Sequence, residues 1–144
     1  MNYQRLRGIL KEVDLKFKST ITQEQDSESF QKIAKAQVEE LEDGWRLKYL
    51  EDNQIPVKIL LKKQKQTLII NRGVVPSDYS LIKLELGEKR GCKYVVNNRQ
   101  MDLISETKFL KVTKYGGRTK VQVEYDLFSG LYLIGNYAVT LIFS

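Results

Sequence analysis

The sequence predicts an all-β protein, a closed antiparallel up-and-down β-barrel of about eight to ten strands. Side chains alternate apolar and polar along most of the chain, as in Val13, Leu15, Phe17 and Ile21 against Asp14, Lys16, Lys18 and Thr20. Successive strand residues leave on opposite faces, so each such run describes a sheet with one apolar face and one wet face. Turn signals recur roughly every ten to fifteen residues, which suits a series of hairpins. An open sheet of that length would expose its edges and its apolar face, and closure into a barrel covers both.

The first strand is expected from about Lys11 to Gln23, with the polar stretch Gln23 to Ser29 as its turn. Phe30, Ile33, Ala34, Val38 and Leu41 sit at helical spacing, yet Ile33 to Leu41 also suits an outer strand paired with the first, and the strand is adopted here. Glu42, Asp43 and Gly44 form a hairpin turn, after which Trp45, Leu47 and Tyr49 share an inward face. Pro56 opens the next strand, where its missing N–H does least harm, and Val57, Ile59 and Leu61 continue the inner face. Lys62 to Gln66 is the following turn, and Leu68, Ile70 and Arg72 then share one face.

Gly73 to Ser80 reads as a long loop before Ile82, Leu84 and Leu86. Gly87 to Gly91 turns into Cys92 to Val96, and Asn97 to Gln100 turns into the run from Met101 to Tyr115. There Met101, Leu103, Ser105, Thr107 and Phe109 are expected on one face. Gly116 and Gly117 give a two-residue hairpin turn. Val121, Val123 and Tyr125 then oppose Lys120, Gln122, Glu124 and Asp126, and the last strand carries Leu133, Tyr137, Val139, Leu141 and Phe143. A single barrel domain over residues 1–144 is expected, and a chain of this size buries about 68 to 70% of its unfolded surface.

The single cysteine excludes an internal disulfide, and the start of the chain lacks the apolar stretch of a leader, so a cytoplasmic protein is expected. No apolar run approaches a membrane-spanning helix. Net charge is +6 with 24 basic and 18 acidic residues, a mild attraction for polyanions. Its distribution is uneven: Ile21 to Asp52 carries nine acids against four bases, and Asn53 to Arg72 carries five bases and no acid. Cross-strand pairing on a solvated face is the favoured reading of that pattern, ahead of a binding patch.

The order of elements, the run Val13 to Ile21, the Asp43–Gly44 turn before Trp45, the segment Ile70 to Gly73, the Ser105 to Lys108 stretch and Val121 to Asp126 carry a resemblance. Together, over nearly the whole chain, they resemble the YwiB-like family of small bacterial proteins. That resemblance implies a lipocalin-like (calycin) barrel and no known activity, since a fold does not confer chemistry.

Two functional readings follow. If the barrel is hollow, Arg72 points a guanidinium inward to hold the carboxylate of a small amphipathic ligand, with Trp45, Tyr49, Tyr125 and Tyr137 as walls. The alternative is that Arg72 caps a barrel end on carbonyls or a single acid and that the aromatics are core. If the barrel is filled, as the bulk of the inward residues favours, the chain acts through its outer surface on a protein or RNA partner. Lys58, Lys62, Lys63 and Lys65, with Tyr115, Arg118 and Lys120, would then form a basic groove with an aromatic platform, or else a solvated exterior.

Cys92 lies between Arg90, Gly91 and Lys93, neighbours that favour a thiolate, but the absence of histidine excludes a Cys–His nucleophile. Glu124 and Asp126 share a face about 7 Å apart and read as solvated charges. No enzyme activity, catalytic residue, metal site or cofactor is expected, no membrane association, and a monomer or homodimer.

Overall fold

The computed structural model describes residues 10–144. The expectations for a leader and for the first nine residues of the domain lie outside them. Ten strands follow in order: β1 (Leu10–Gln23), β2 (Asp26–Leu41), β3 (Gly44–Glu51), β4 (Ile55–Lys62), β5 (Thr67–Val74), β6 (Asp78–Glu85), β7 (Lys89–Val96), β8 (Arg99–Tyr115), β9 (Arg118–Ser129) and β10 (Tyr132–Phe143). Each pairs antiparallel with its neighbours in sequence, and β1 pairs with both β2 and β10, which closes the barrel. Closure follows from the first strand's pattern: Val13 and Leu15 are buried and sit in register with Ala36 and Ala34 of β2, while Leu15 and Phe17 face Phe143 and Leu141 of β10.

The centre of the barrel is filled. Leu15, Leu47, Ile59, Leu61, Leu68, Leu84 and Leu141 are each less than 2% exposed and form one core with Val57, Val121 and Val123. Burial of each such side chain contributes about 1.5–3 kcal/mol relative to exposure. Through the middle of the barrel apolar residues point in and charged ones out, the inverse of a transmembrane barrel. Among the described residues no helix is long and apolar enough to cross a membrane.

The walls are unequal. β8, β9, β10, β1 and β2 run for 17, 12, 12, 14 and 16 residues, whereas β3 to β7 have eight each. A tall five-strand wall therefore faces a short one. Two mouths result: an upper one at the β1–β2, β3–β4, β5–β6, β7–β8 and β9–β10 turns, and a lower one at the other turns.

Several sequence expectations are corrected. β2 begins at Asp26, so the first turn is only Glu24–Gln25, because the hydroxyls of Thr20 and Thr22 bond those of Ser29 and Ser27 at 3.1 and 3.0 Å and extend the ladder through polar residues. The long loop from Gly73 to Ser80 is a three-residue connection. Gly73 permits it: its φ is +106°, and a Cβ there would lie 2.3 Å from the Asp78 carbonyl oxygen. In β8 the register shifts between Thr107 and Phe109. This bulge places one extra residue against β9, so Phe109 turns outward and Leu110 takes the inward place. A second shift between Leu133 and Gly135 leaves Leu133 exposed instead of inward.

One seam in the barrel is held by side chains. β6 and β7 pair only at Tyr79–Val95, Ser80–Tyr94 and Leu81–Lys93. Below that point the Lys83 N–H donates to Cys92 Sγ at 3.4 Å and the Lys83 carbonyl accepts from Ser105 Oγ at 2.6 Å. Both side chains are buried, so they satisfy backbone groups that would otherwise be orphaned.

Candidate functional site

At the upper mouth, alternation along β3 and β5 turns Tyr49, Glu51 and Arg72 inward, and the β5–β6 and β6–β7 registers bring Ser80 and Tyr94 into line with Arg72. Arg72 Nε donates to Glu51 Oε1 at 2.8 Å, and Nη2 lies 2.7 Å from the same oxygen in the ion pair. The Glu51 carboxylate is nearly buried and the guanidinium half-exposed, and this bond raises the Arg72 pKa further above its ordinary value. Arg72 thus caps the mouth with a single acid. Lys32, also inward, pairs with Asp52 at 2.8 Å. Beside Arg72 an open cleft of about 470 Å³ is lined by Ile55, Val74, Ser80, Tyr94 and Val96 among others.

The predicted ligand-binding residues do not all meet there. Tyr125 and Tyr137 stack at 5.0 Å between centroids and 7° between planes. Tyr125 is buried in the core. Burial pushes the phenols of Tyr49, Tyr125 and Tyr137 up, so they remain neutral hydrogen-bond donors. Trp45 is at the opposite, lower mouth. It packs edge-on to Phe143 at 5.8 Å, under Lys63 and Lys114 at 5.2 and 5.0 Å from its ring.

The predicted basic patch is also divided. Lys58 lies on the short wall, directly opposite Lys48, a like-charge juxtaposition that is locally unfavourable. Lys62, Lys63 and Lys65 lie at or beyond the end of β4 by the lower mouth, and Lys63 covers Trp45. None of these four forms an ion pair among the described residues.

Tyr115, Arg118 and Lys120 stand elsewhere, on the outer face of the tall wall, and register surrounds them with residues from distant segments. One cross-strand row reads Lys111, Gln122, Thr140, Lys18, Gln31. The next reads Thr113, Lys120, Ile142, Lys16, Ile33. A third joins Tyr115 with Arg118 on one side and Asp14 with Lys35 on the other. Across these rows Lys16, Lys18, Lys35, Lys111, Arg118 and Lys120 face Asp14 alone, a net of +5 against +6 for the whole chain. Asp14 is held by Lys35 at 2.5 Å, and the other five cations have no carboxylate partner among the described residues.

Lys16, Lys18 and Lys111 escaped sequence reasoning, although each is visible as an outward position of its own strand. Their assembly depends on β1 closing onto β10. The remaining candidates are structural. Cys92 is 2% exposed within the β6–β7 seam. Asp126, read as solvated, is 7% exposed, because Lys108 folds over it at 2.6 Å and Asn136 donates to it from β10.

These features define a class of protein: a small, filled, up-and-down barrel whose interior is packed and whose tall outer wall carries a cluster of cations with few acids. Residues 15–141 match the family described as "Domain of unknown function (DUF1934)", and the chain belongs to that family. The fold is similar to that in the crystal structure of ywiB protein from Bacillus subtilis, with a TM-score of 0.79, 14% identity, and coverage of 100% of this chain and 98% of that one. The expected YwiB-like barrel is therefore present, and at that identity the likeness concerns the fold alone. No curated protein matches the chain.

Proposed function

We propose that this chain is a binding protein, not an enzyme, and that it acts through its outer surface by holding an extended polyanion against the tall wall. The observation that supports this reading is the gathering of Lys16, Lys18, Lys111, Arg118 and Lys120 on adjacent strands with no acid paired to them among the described residues. Adjacent strands are about 4.8 Å apart, so Lys16 and Lys120, two strands apart, form two banks about 10 Å from each other with Ile142 between them. Such a surface releases counterions when it meets closely spaced negative charges. The test is binding of inorganic polyphosphate to the full chain over a range of salt concentrations, beside a K16E/K18E/K120E variant. Salt-sensitive binding abolished by charge reversal supports the reading, and indifference to both salt and reversal refutes it.

The cleft beside Arg72 favours a second reading, a small amphipathic acid held at the upper mouth. Arg72 retains N–H groups beyond the one that its Nε gives to Glu51, and Ser80 and Tyr94 line the same space as Val74 and Val96. Native mass spectrometry of protein taken from bacterial cytosol tests it. Extra mass that disappears on denaturation and in Arg72→Ala supports the site, and a bare mass in both excludes it.

A further inference from the structure

The bulge in β8 determines what the cationic wall can recognise. Without the extra residue, Phe109 would continue the inward series of Leu103, Ser105 and Thr107, and Lys111, Thr113 and Tyr115 would follow it inside. The shift between Thr107 and Phe109 instead turns Phe109, Lys111, Thr113 and Tyr115 outward together, while Leu110 and Val112 fill the interior. Phe109 is left 38% exposed and Tyr115 45% exposed. Bulges commonly serve to re-aim a side chain. Here one places two aromatic rings on a lysine-bearing surface, six residues apart and so about 20 Å along the strand.

We infer that the tall wall is a binding surface for single-stranded nucleic acid, its phosphates held by Lys16, Lys18, Lys111, Arg118 and Lys120 and its bases stacked on Phe109 and Tyr115. This deepens the polyanion reading above and rests on it. A positively charged track beside exposed aromatic faces is the arrangement that binds single strands without sequence preference, since every base offers a π-face. A duplex keeps its bases paired and stacked within, so it can use the lysines but not the rings. Between the two banks of cations, Gln122 and Thr140 supply neutral polar groups and Ile142 a low apolar floor. The nearby carboxylates bound the track without blocking it: Glu124 stands opposite Phe109 at its upper edge, Glu12 lies beyond Asp14 at its lower edge, and Asp14 is already engaged by Lys35.

The test is fluorescence anisotropy with labelled oligonucleotides of about twelve residues, within the site sizes usual for such surfaces. Single-stranded RNA, single-stranded DNA and the corresponding duplex are compared, with inorganic polyphosphate as competitor. The intact chain should bind both single strands more tightly than the duplex, with an affinity that falls steeply with salt. K16E/K18E/K120E should weaken every polyanion alike. F109A/Y115A, at exposed positions that leave the core intact, should weaken the single strands by about tenfold or more and leave polyphosphate unchanged, and F109W should restore part of that loss. Equal affinity for single strands and duplex, or no effect of F109A/Y115A on single strands, overturns the inference while polyphosphate binding still supports the polyanion reading. Failure of all these anions to bind overturns both.

Discussion

Replacing Ser105 with alanine isolates the side-chain seam between β6 and β7. The Ser105 hydroxyl is fully buried and donates to the Lys83 carbonyl at 2.6 Å, at a level where the backbone ladder has already ended. A typical hydrogen bond contributes about 0.5–1.5 kcal/mol net, and a buried acceptor left without a donor costs about 1–3 kcal/mol. The Cys92 thiol remains as a weaker donor to the same carbonyl at 3.7 Å, which softens the loss. The expected destabilisation is about 1.5 kcal/mol, or roughly 5 °C in Tm for a chain of this size. Urea unfolding followed by the fluorescence of Trp45, the one tryptophan, and by circular dichroism measures it. Cys92→Ala removes the sulfur that accepts the Lys83 N–H at 3.4 Å, so the double variant should depart from additivity by about 0.5 kcal/mol or more. A Ser105→Ala protein within about 0.5 kcal/mol of its parent, and strictly additive with Cys92→Ala, would refute the view that these side chains replace the missing ladder.

Three other outcomes are expected. Gly44→Ala should destabilise by about 3 kcal/mol or fail to fold, because φ is +148° and the new Cβ would sit 1.8 Å from the Leu61 carbonyl oxygen; a normal urea midpoint would contradict this. Thr107→Val should raise stability by about 1 kcal/mol, since Thr107 Oγ1 is buried without a hydrogen-bond partner; a loss of stability would show that the hydroxyl is satisfied. Burial holds the Tyr49 and Tyr125 phenols above the usual range, so the unfolded chain loses those protons first. Stability from this source is complete below pH about 10 and declines as pH rises toward the folded-state values. Y49F/Y125F should flatten the alkaline limb of the stability–pH curve, and an unchanged limb counts against the linkage.

The legible part of the molecule was whatever rests on local period and turn chemistry. Val13 to Ile21, Trp45 to Tyr49 and Val121 to Tyr125 face inward as their alternation requires, and the Gly116–Gly117 turn has both residues at positive φ. The ligand and basic sets were less legible because they assume which strands adjoin. Trp45 and Tyr49 share one face of β3, yet eight residues carry that face from the lower mouth to the upper, so only Tyr49 reaches Arg72. Likewise Lys58 shares a segment with Lys62, Lys63 and Lys65 but stands away from them on the short wall, opposite Lys48.

By itself, the sequence determined the fold class, a range of strand number that includes the ten observed, and the inward residues of most strands, and it left open whether the interior is filled. These depend on side chains two residues apart sharing a face, a property of the extended backbone that needs no knowledge of the partner strand. Only the tertiary structure decided where charge and aromatic rings gather. Barrel closure sets Lys16 and Lys18 beside a wall of strands that begins only at Arg99, and one bulge reverses every side chain from Phe109 to Tyr115. Both are matters of register, and a shift of one residue exchanges the inside of a sheet for its outside.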